Sequence, residues 1–301
     1  MFKGLSGLAS LGVSGWDTSS ATDLSSMFEG CSSLESLDLS GWDTSSATSM
    51  ASMFSGCSSL GSIALPSWTA SGDLSYMFSG CSSLESLDLS GWDTSAATSM
   101  AGTFYGCSSL ASLDVSGWDA SGVTAFAAGD YVSYPDSYFS SRAGTFRGCS
   151  SLRSLDLSGW GVSSGARDLS GMFGGCTSLE SLDLSGWDVS GATSMAYMLY
   201  DCKSLSSLGL SGWRASSSAP LSDMFRGSRV SSLDLSGCAA ADARLVLAGL
   251  RRGGSPSALS SLSLEGVDAS GAADLSSMFK GLSGLASLGV SGWDTSSATD
   301  L

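Results

Sequence analysis

The chain has 301 residues, with 13 lysines and arginines against 28 aspartates and glutamates, a net charge of −15 and no histidine. A sequence pI near 4.1 without a basic cluster argues against binding nucleic acid or docking on an anionic membrane, both of which need cations. Lack of histidine removes the commonest general base, the usual catalytic triads and most zinc sites, and there is no apolar run of 18 residues to cross a membrane.

The sequence repeats from its start. Aligned on Leu-x-Ser-Leu-x-Leu-Ser-Gly-Trp, rungs open at Leu8, Leu34, Leu60, Leu84, Leu110, Leu152, Leu179, Leu205, Val230, Leu259 and Leu285. The steps run from 24 to 29 residues, except for one of 42. This predicts one solenoid of about eleven rungs over 1–301 rather than several globular domains. Met1 falls inside a rung, and Met1-Phe2-Lys3-Gly4-Leu5 is not followed by the apolar core of a signal peptide.

The rung at Leu34 serves as the template. Leu37-Asp38-Leu39-Ser40 alternates apolar and polar residues, the pattern of a half-buried strand. Gly41 permits a turn and Trp42 plugs the corner. Met50, Met53 and Phe54 then lie at i, i+3 and i+4, which predicts one face of a short helix. Asp23, Ser49, Asp73, Ser99, Asp168, Ser194 and Asp274 stand four residues before the Met-Phe register, where an N-cap is expected. The expected fold class is α/β: a leucine-rich-repeat-type solenoid with one parallel strand plus a short helix or turn per rung.

Seven cysteines (Cys31, Cys57, Cys81, Cys107, Cys149, Cys176 and Cys202) share one register, three residues before the strand leucine. Buried thiols packed as a column fit better than disulfides or a metal site, since no Cys-x-x-Cys pair occurs. The tryptophans from Trp16 to Trp293 are read as stacked corner residues rather than a sugar-binding stripe. Thr18/Thr22, Thr44/Thr48 and Thr94/Thr98 raise an ice-binding lattice as a rival, weakened by interruptions at Thr69, Gly161 and Arg214.

Acidic residues gather in the middle rungs. Asp88, Asp114, Asp156 and Asp183 precede the third strand leucine in consecutive rungs, reinforced by Glu85 and Glu180. Aligned like charges need counter-ions, a cationic partner or screening, so this column is either a binding face or a solubility device. The Gly-Gly-x-Gly-x-Asp repeat of calcium-binding β-rolls is absent. The 42-residue step adds an insertion at 122–142 carrying Phe126, Tyr131, Tyr134, Tyr138 and Phe139, read as a loop folded on the flank or as a binding element. Further on, Leu233-Asp234-Leu235-Ser236-Gly237-Cys238 leads into an amphipathic stretch over 239–252, which predicts a longer helix.

Two resemblances follow from these motifs. The 29-residue rung with its Leu-x-x-Leu-x-Leu-x-x-Cys pattern (Val230 standing at the first leucine) and helix resembles a ribonuclease-inhibitor-like leucine-rich repeat. Cys31-Ser32-Ser33-Leu34-Glu35-Ser36-Leu37-Asp38-Leu39-Ser40-Gly41-Trp42-Asp43 and Met53-Phe54-Ser55-Gly56-Cys57 are similar to the 26-residue repeat of BspA-like bacterial surface proteins. That resemblance implies a cell-surface or extracellular adhesion module. Residues 1–24 and 278–301 are identical, so the chain reads as part of a longer array.

The expected function is therefore a non-catalytic protein-interaction or adhesion module, with a structural spacer or stalk as the alternative. No cofactor is expected and the partner would be a protein, of cationic character, meeting the rungs between about Leu84 and Leu184. The residues put forward for binding are Glu85, Asp88, Asp114, Asp156, Glu180, Asp183, Phe126, Tyr131, Tyr134 and Tyr138.

Overall fold

A computed structural model describes residues 1–128, 143–215, 219, 221, 223–272 and 274–300. Among them run fifteen short strands: β1 (Ser36–Asp38), β2 (Ser62–Ala64), β3 (Gly72–Asp73), β4 (Ser86–Asp88), β5 (Ala97–Ser99), β6 (Ser112–Asp114), β7 (Ala127–Ala128), β8 (Ala143–Gly144), β9 (Ser181–Asp183), β10 (Asp188–Val189), β11 (Ser207–Gly209), β12 (Arg214–Ala215), β13 (Ser232–Asp234), β14 (Ser261–Ser263) and β15 (Ser287–Gly289). One α-helix, α1 (Ala240–Gly253), follows β13.

The chain coils as a parallel solenoid. On the strand face the central leucines pair rung to rung, Leu37 with Ile63, Leu87 with Leu113, and Leu182, Leu208, Leu233, Leu262 and Leu288 in succession. These side chains point inward except at the last rung, and the flanking Ser and Asp point outward, as the period-2 pattern requires. The expected single sheet is instead three ladders, β1–β2, β4–β6 and β9–β11–β13–β14–β15. One break follows β2. The other is at 154–156, the rung after the insertion, which carries the strand sequence without ladder pairing.

The expected short helix over Met50–Phe54 is not formed. Alternate N–H groups point across to the next rung, Leu24 to Ser49, Ser26 to Ala51, Phe28 to Met53 and Gly30 to Ser55, at 2.7–3.0 Å. The N–H groups between them close tight turns, Glu29 to Ser26 and Cys31 to Phe28. Ser26, Ser52, Tyr76, Tyr197 and Ser277 share a register with φ between 56° and 60°, which no α-helix admits. An α-helix satisfies its N–H groups within itself, whereas here the adjacent rung supplies acceptors and a second ladder results. The Asp/Ser register expected to cap helices runs along that ladder as parallel bridges, Asp23 to Ser49 to Asp73 and Ala125 to Asp168 to Ser194.

Inside, equivalent side chains stack in columns. Phe2, Phe28, Phe54, Phe78, Phe104, Phe146 and Phe173 lie 5.2–5.7 Å apart with rings within 18° of parallel. Seven tryptophans from Trp42 to Trp213 are buried beside them. Trp42 and Trp118 donate their indole N–H to Val13 and Leu89 carbonyls of the preceding rung. Cys238 fills the tryptophan register in the rung that enters α1, and its thiol donates to the equivalent carbonyl of Leu210 at 3.2 Å. The other seven cysteines form their own buried column, each Sγ donating to the carbonyl one rung back, as Cys57 does to Phe28.

Thr18, Thr44 and Thr94 are buried as well, and their hydroxyls bridge rungs to the carbonyls of Asp43, Thr69 and Asp119. That removes them from any surface lattice, while Thr22, Thr48 and Thr98 stay exposed as a single column.

The candidate binding face

The six acidic residues expected to form a face all lie exposed on the strand side. Asp88 and Asp114 are directly opposed across the β4–β6 pair. Asp156 follows in the unpaired rung, and Asp183 ends β9. Glu85 and Glu180 occupy a second register beside them, in which Arg153 also stands: Ala111 N–H binds the Glu85 carbonyl, and Glu180 N–H binds the Arg153 carbonyl. The acidic feature is thus punctuated by one exposed cation.

Each of these aspartates also does local structural work. The Asp88 carboxylate accepts the Ser90 N–H at 3.0 Å and its hydroxyl at 2.7 Å, and Asp114 and Asp183 do the same with Ser116 and Ser185. Asp156 accepts the Ser158 N–H at 2.9 Å. These are Asx turns, in which a side chain stands in for backbone at the end of a strand. The Ser90 hydroxyl first, then its amide, holds Asp88 below the usual carboxylate value; for Asp156 the Ser158 amide comes first. Such bonds favour the charged form. The same Asp-x-Ser turn recurs at Asp17, Asp43, Asp93, Asp119, Asp188, Asp268 and Asp294, and again at Asp23, Asp73, Asp168 and Asp274. The signal was in the sequence. At the one rung where Pro66 replaces the N–H donor, Ala64 replaces the aspartate.

Between these turns the face is concave. The outward Ser154, Ser181 and Ser207, over the inward-turned Leu155, Leu182 and Leu208, line a shallow depression of about 470 Å³ edged by Asp156, Asp183 and Asp234. A smaller cleft of about 240 Å³ lies between Asp156 and Asp183. Hydroxyl-bearing floor and anionic rim together suit a cationic segment.

The aromatic insertion divides differently from expectation. Phe126 is fully buried and stacks on Trp160 and Trp187 at 6.1 and 6.5 Å, so it offers no ring to a ligand. Its register is that of Met100, and the larger ring there is matched by the smaller Thr103 and Thr145 where other rungs carry methionine. The insertion leaves after it, from an antiparallel base formed by β7 and β8. That base joins the second ladder, not the strand face. Tyr131, Tyr134, Tyr138 and Phe139 lie outside the described residues.

Burial raises the thiols. Cys57, Cys107 and Cys176 are pushed up to about 12, and Cys238 to about 11. Cys81, Cys149 and Cys202 are also driven well up, again by burial first. None of these is a thiolate at neutral pH, which is the form a nucleophile or metal ligand requires. Among the described residues no group of three or more Cys, Asp and Glu is placed to hold a metal ion, and no helix is long and apolar enough to cross a membrane.

The expectation that the chain lacks a basic cluster does not hold. Seven of its 13 basic residues, and three of its 28 acidic ones, fall within 203–252, so that stretch is net +4 and the remainder net −19.

The sequence profile of a family described as "Mycoplasma protein of unknown function, DUF285" matches residues 1–72, 70–129, 138–237 and 257–301. No curated protein is detectably similar. Among solved structures, a leucine-rich-repeat protein of Leptospira interrogans aligns over 91% of this chain and 82% of its own, at 12% identity and a TM-score of 0.28. The TLR13–ssRNA13 complex aligns over 87% of this chain and 42% of its own, at 16% identity and the same TM-score.

Proposed function

The chain belongs to the DUF285 family, and we propose that it is a non-catalytic protein-interaction module that binds through the strand face of its middle rungs. The observation that carries this reading is the concave face itself, with Ser154, Ser181 and Ser207 beside the carboxylates of Asp156, Asp183 and Asp234. Such a surface recognises a protein segment that presents lysine or arginine. Partners of that kind fit an adhesion role at a cell surface, as the BspA-like repeat implies.

The test is hydrogen exchange with and without a peptide alternating lysine and leucine. Protection confined to β4, β6, residues 154–156 and β9, with β11 and β13 where they line the depression, supports the face. Protection elsewhere, or none at low salt, contradicts it. A spacer role is the second reading, favoured by the repetition of the same columns through every rung, and it is the reading left standing by the latter result.

A further inference from the structure

The strand-face acids leave one edge of the solenoid unexplained. It is the corner between the Met-Phe segment and the next strand, and inter-rung hydrogen bonds trace it as far as Arg226. Gly175 N–H binds the Tyr200 carbonyl, and Asp201 N–H binds the Arg226 carbonyl. The end of α1 then lies against Arg226, where a Cβ added at Gly253 would meet the Arg226 backbone at 3.4 Å and its side chain at 3.6 Å. Arg251 reaches on to the Met278 carbonyl at 2.9 Å, next to Lys280.

Along this edge Lys203, Arg226, Arg229, Arg252 and Lys280 are exposed. Lys203 lies 3.1 Å from Asp201, and Arg226 lies 3.8 Å from Asp223. Arg229 and Arg252 have no acidic partner among the described residues. Lys203 and Arg229 line a depression of about 460 Å³ together with Asp201, Gly227 and Ser255.

We propose that this edge is a binding site for a linear sulfated polysaccharide, distinct from the acidic strand face. Three features select that chemistry. First, the cations are spread over successive rungs, whose stacked rings are 5.2–5.7 Å apart. A single small anion would leave most of them unmatched, whereas a chain with a charge on successive pyranose units would not. Second, the depression mixes cations with Asp201 and Ser255, acceptors and a donor for sugar hydroxyls. Third, from Lys203 to Lys280 the aromatic side chains, Trp213, Phe225 and Phe279, are fully or half buried, so the row has no exposed plane on which bases stack. The acidic rungs from Leu84 to Leu184 lie further along the array and are damped at physiological salt, where the screening length is about 8 Å.

A fluorescent heparin-derived octasaccharide is the probe, titrated into the whole chain at about 50 mM salt and above. Its desulfated counterpart and a thymidine oligonucleotide of equal charge are the comparison ligands. Lys203→Ser/Arg229→Ser/Arg252→Ser removes three edge charges, and Lys3→Ser/Arg153→Ser/Arg214→Ser removes as many elsewhere; all six side chains are exposed. The site predicts binding of the sulfated probe alone. It also predicts a loss of about tenfold or more and a shallower salt dependence in the edge variant, with less than about twofold change in the control. No binding by the unaltered chain, equal losses in both variants, or tighter binding of the oligonucleotide or the desulfated sugar overturns it. Thermal unfolding of both variants, at matched salt, separates loss of the site from loss of the fold.

Discussion

At the scale of single residues, the aspartates carry two properties that separate experimentally. Their charge faces solvent, while one carboxylate oxygen closes a turn on the serine two residues on. Asp38, Asp43, Asp88, Asp93, Asp268 and Asp294 are all held below the ordinary value of 3.8 by their serine partners. A carboxyl depressed in the folded state contributes stability that is fully present above its unfolded value and is lost as pH falls through the folded one. The urea midpoint should therefore hold from neutral pH down to about 3.8 and fall below it. A midpoint that rises on acidification through that window would show that relief of the −15 self-repulsion outweighs the turns. The thiols give a second residue-scale test. All eight are buried, so a thiol reagent should react slowly with the native chain at pH 8 and then titrate eight thiols once it is denatured without reductant. Rapid native reaction, or a count near zero, contradicts the stacked thiol column.

At the scale of elements, the repeat period and the inward columns of Leu, Cys, Trp and Phe were legible because each apolar position recurs in register. So was α1, which has room for a helical face within its 29-residue rung. The Met-Phe segment was not. Met50, Met53 and Phe54 have the spacing of a helix face, but the acceptors for Leu24, Ser26, Phe28 and Gly30 N–H groups belong to the next rung. Periodicity along one chain segment carries no trace of such cross-rung bonds. The left-handed position makes the difference measurable. Ser52 has φ 58°, while Gly102 and Gly171 fill the same register at 64° and 62°. Ser52→Gly should relieve the Cβ strain and, after the entropy of a glycine in the unfolded chain is subtracted, stabilise by up to about 1 kcal/mol. Were the segment helical in solution, the same change would destabilise by about that amount.

At the scale of the whole molecule, charge is sorted along the axis. The middle rungs present carboxylates on the strand face, and the rungs around α1 present cations at a corner. The acidic stripe could be read from the sequence, since one aspartate recurs per rung at a fixed place in the strand. The basic edge could not, because Lys203, Arg226, Arg229 and Arg252 sit at different offsets within their rungs and come together only as the chain coils. Of the insertion expected at 122–142, Phe126 belongs to the core because it fills a methionine register. What binds the molecule together as an interaction module is the claim that the acidic face attracts a partner by charge while its turns hold the strands.

The most direct measurement replaces Asp88, Asp114, Asp156 and Asp183 together by asparagine, which keeps the turn-closing oxygen and removes the charge. Affinity for the lysine–leucine peptide and the urea midpoint are then measured on the same sample at two salt concentrations. The account predicts a midpoint close to that of the unaltered chain, with binding weakened about tenfold or more and nearly insensitive to salt. Unchanged affinity and salt dependence would contradict it and leave the acidic column as a device for solubility.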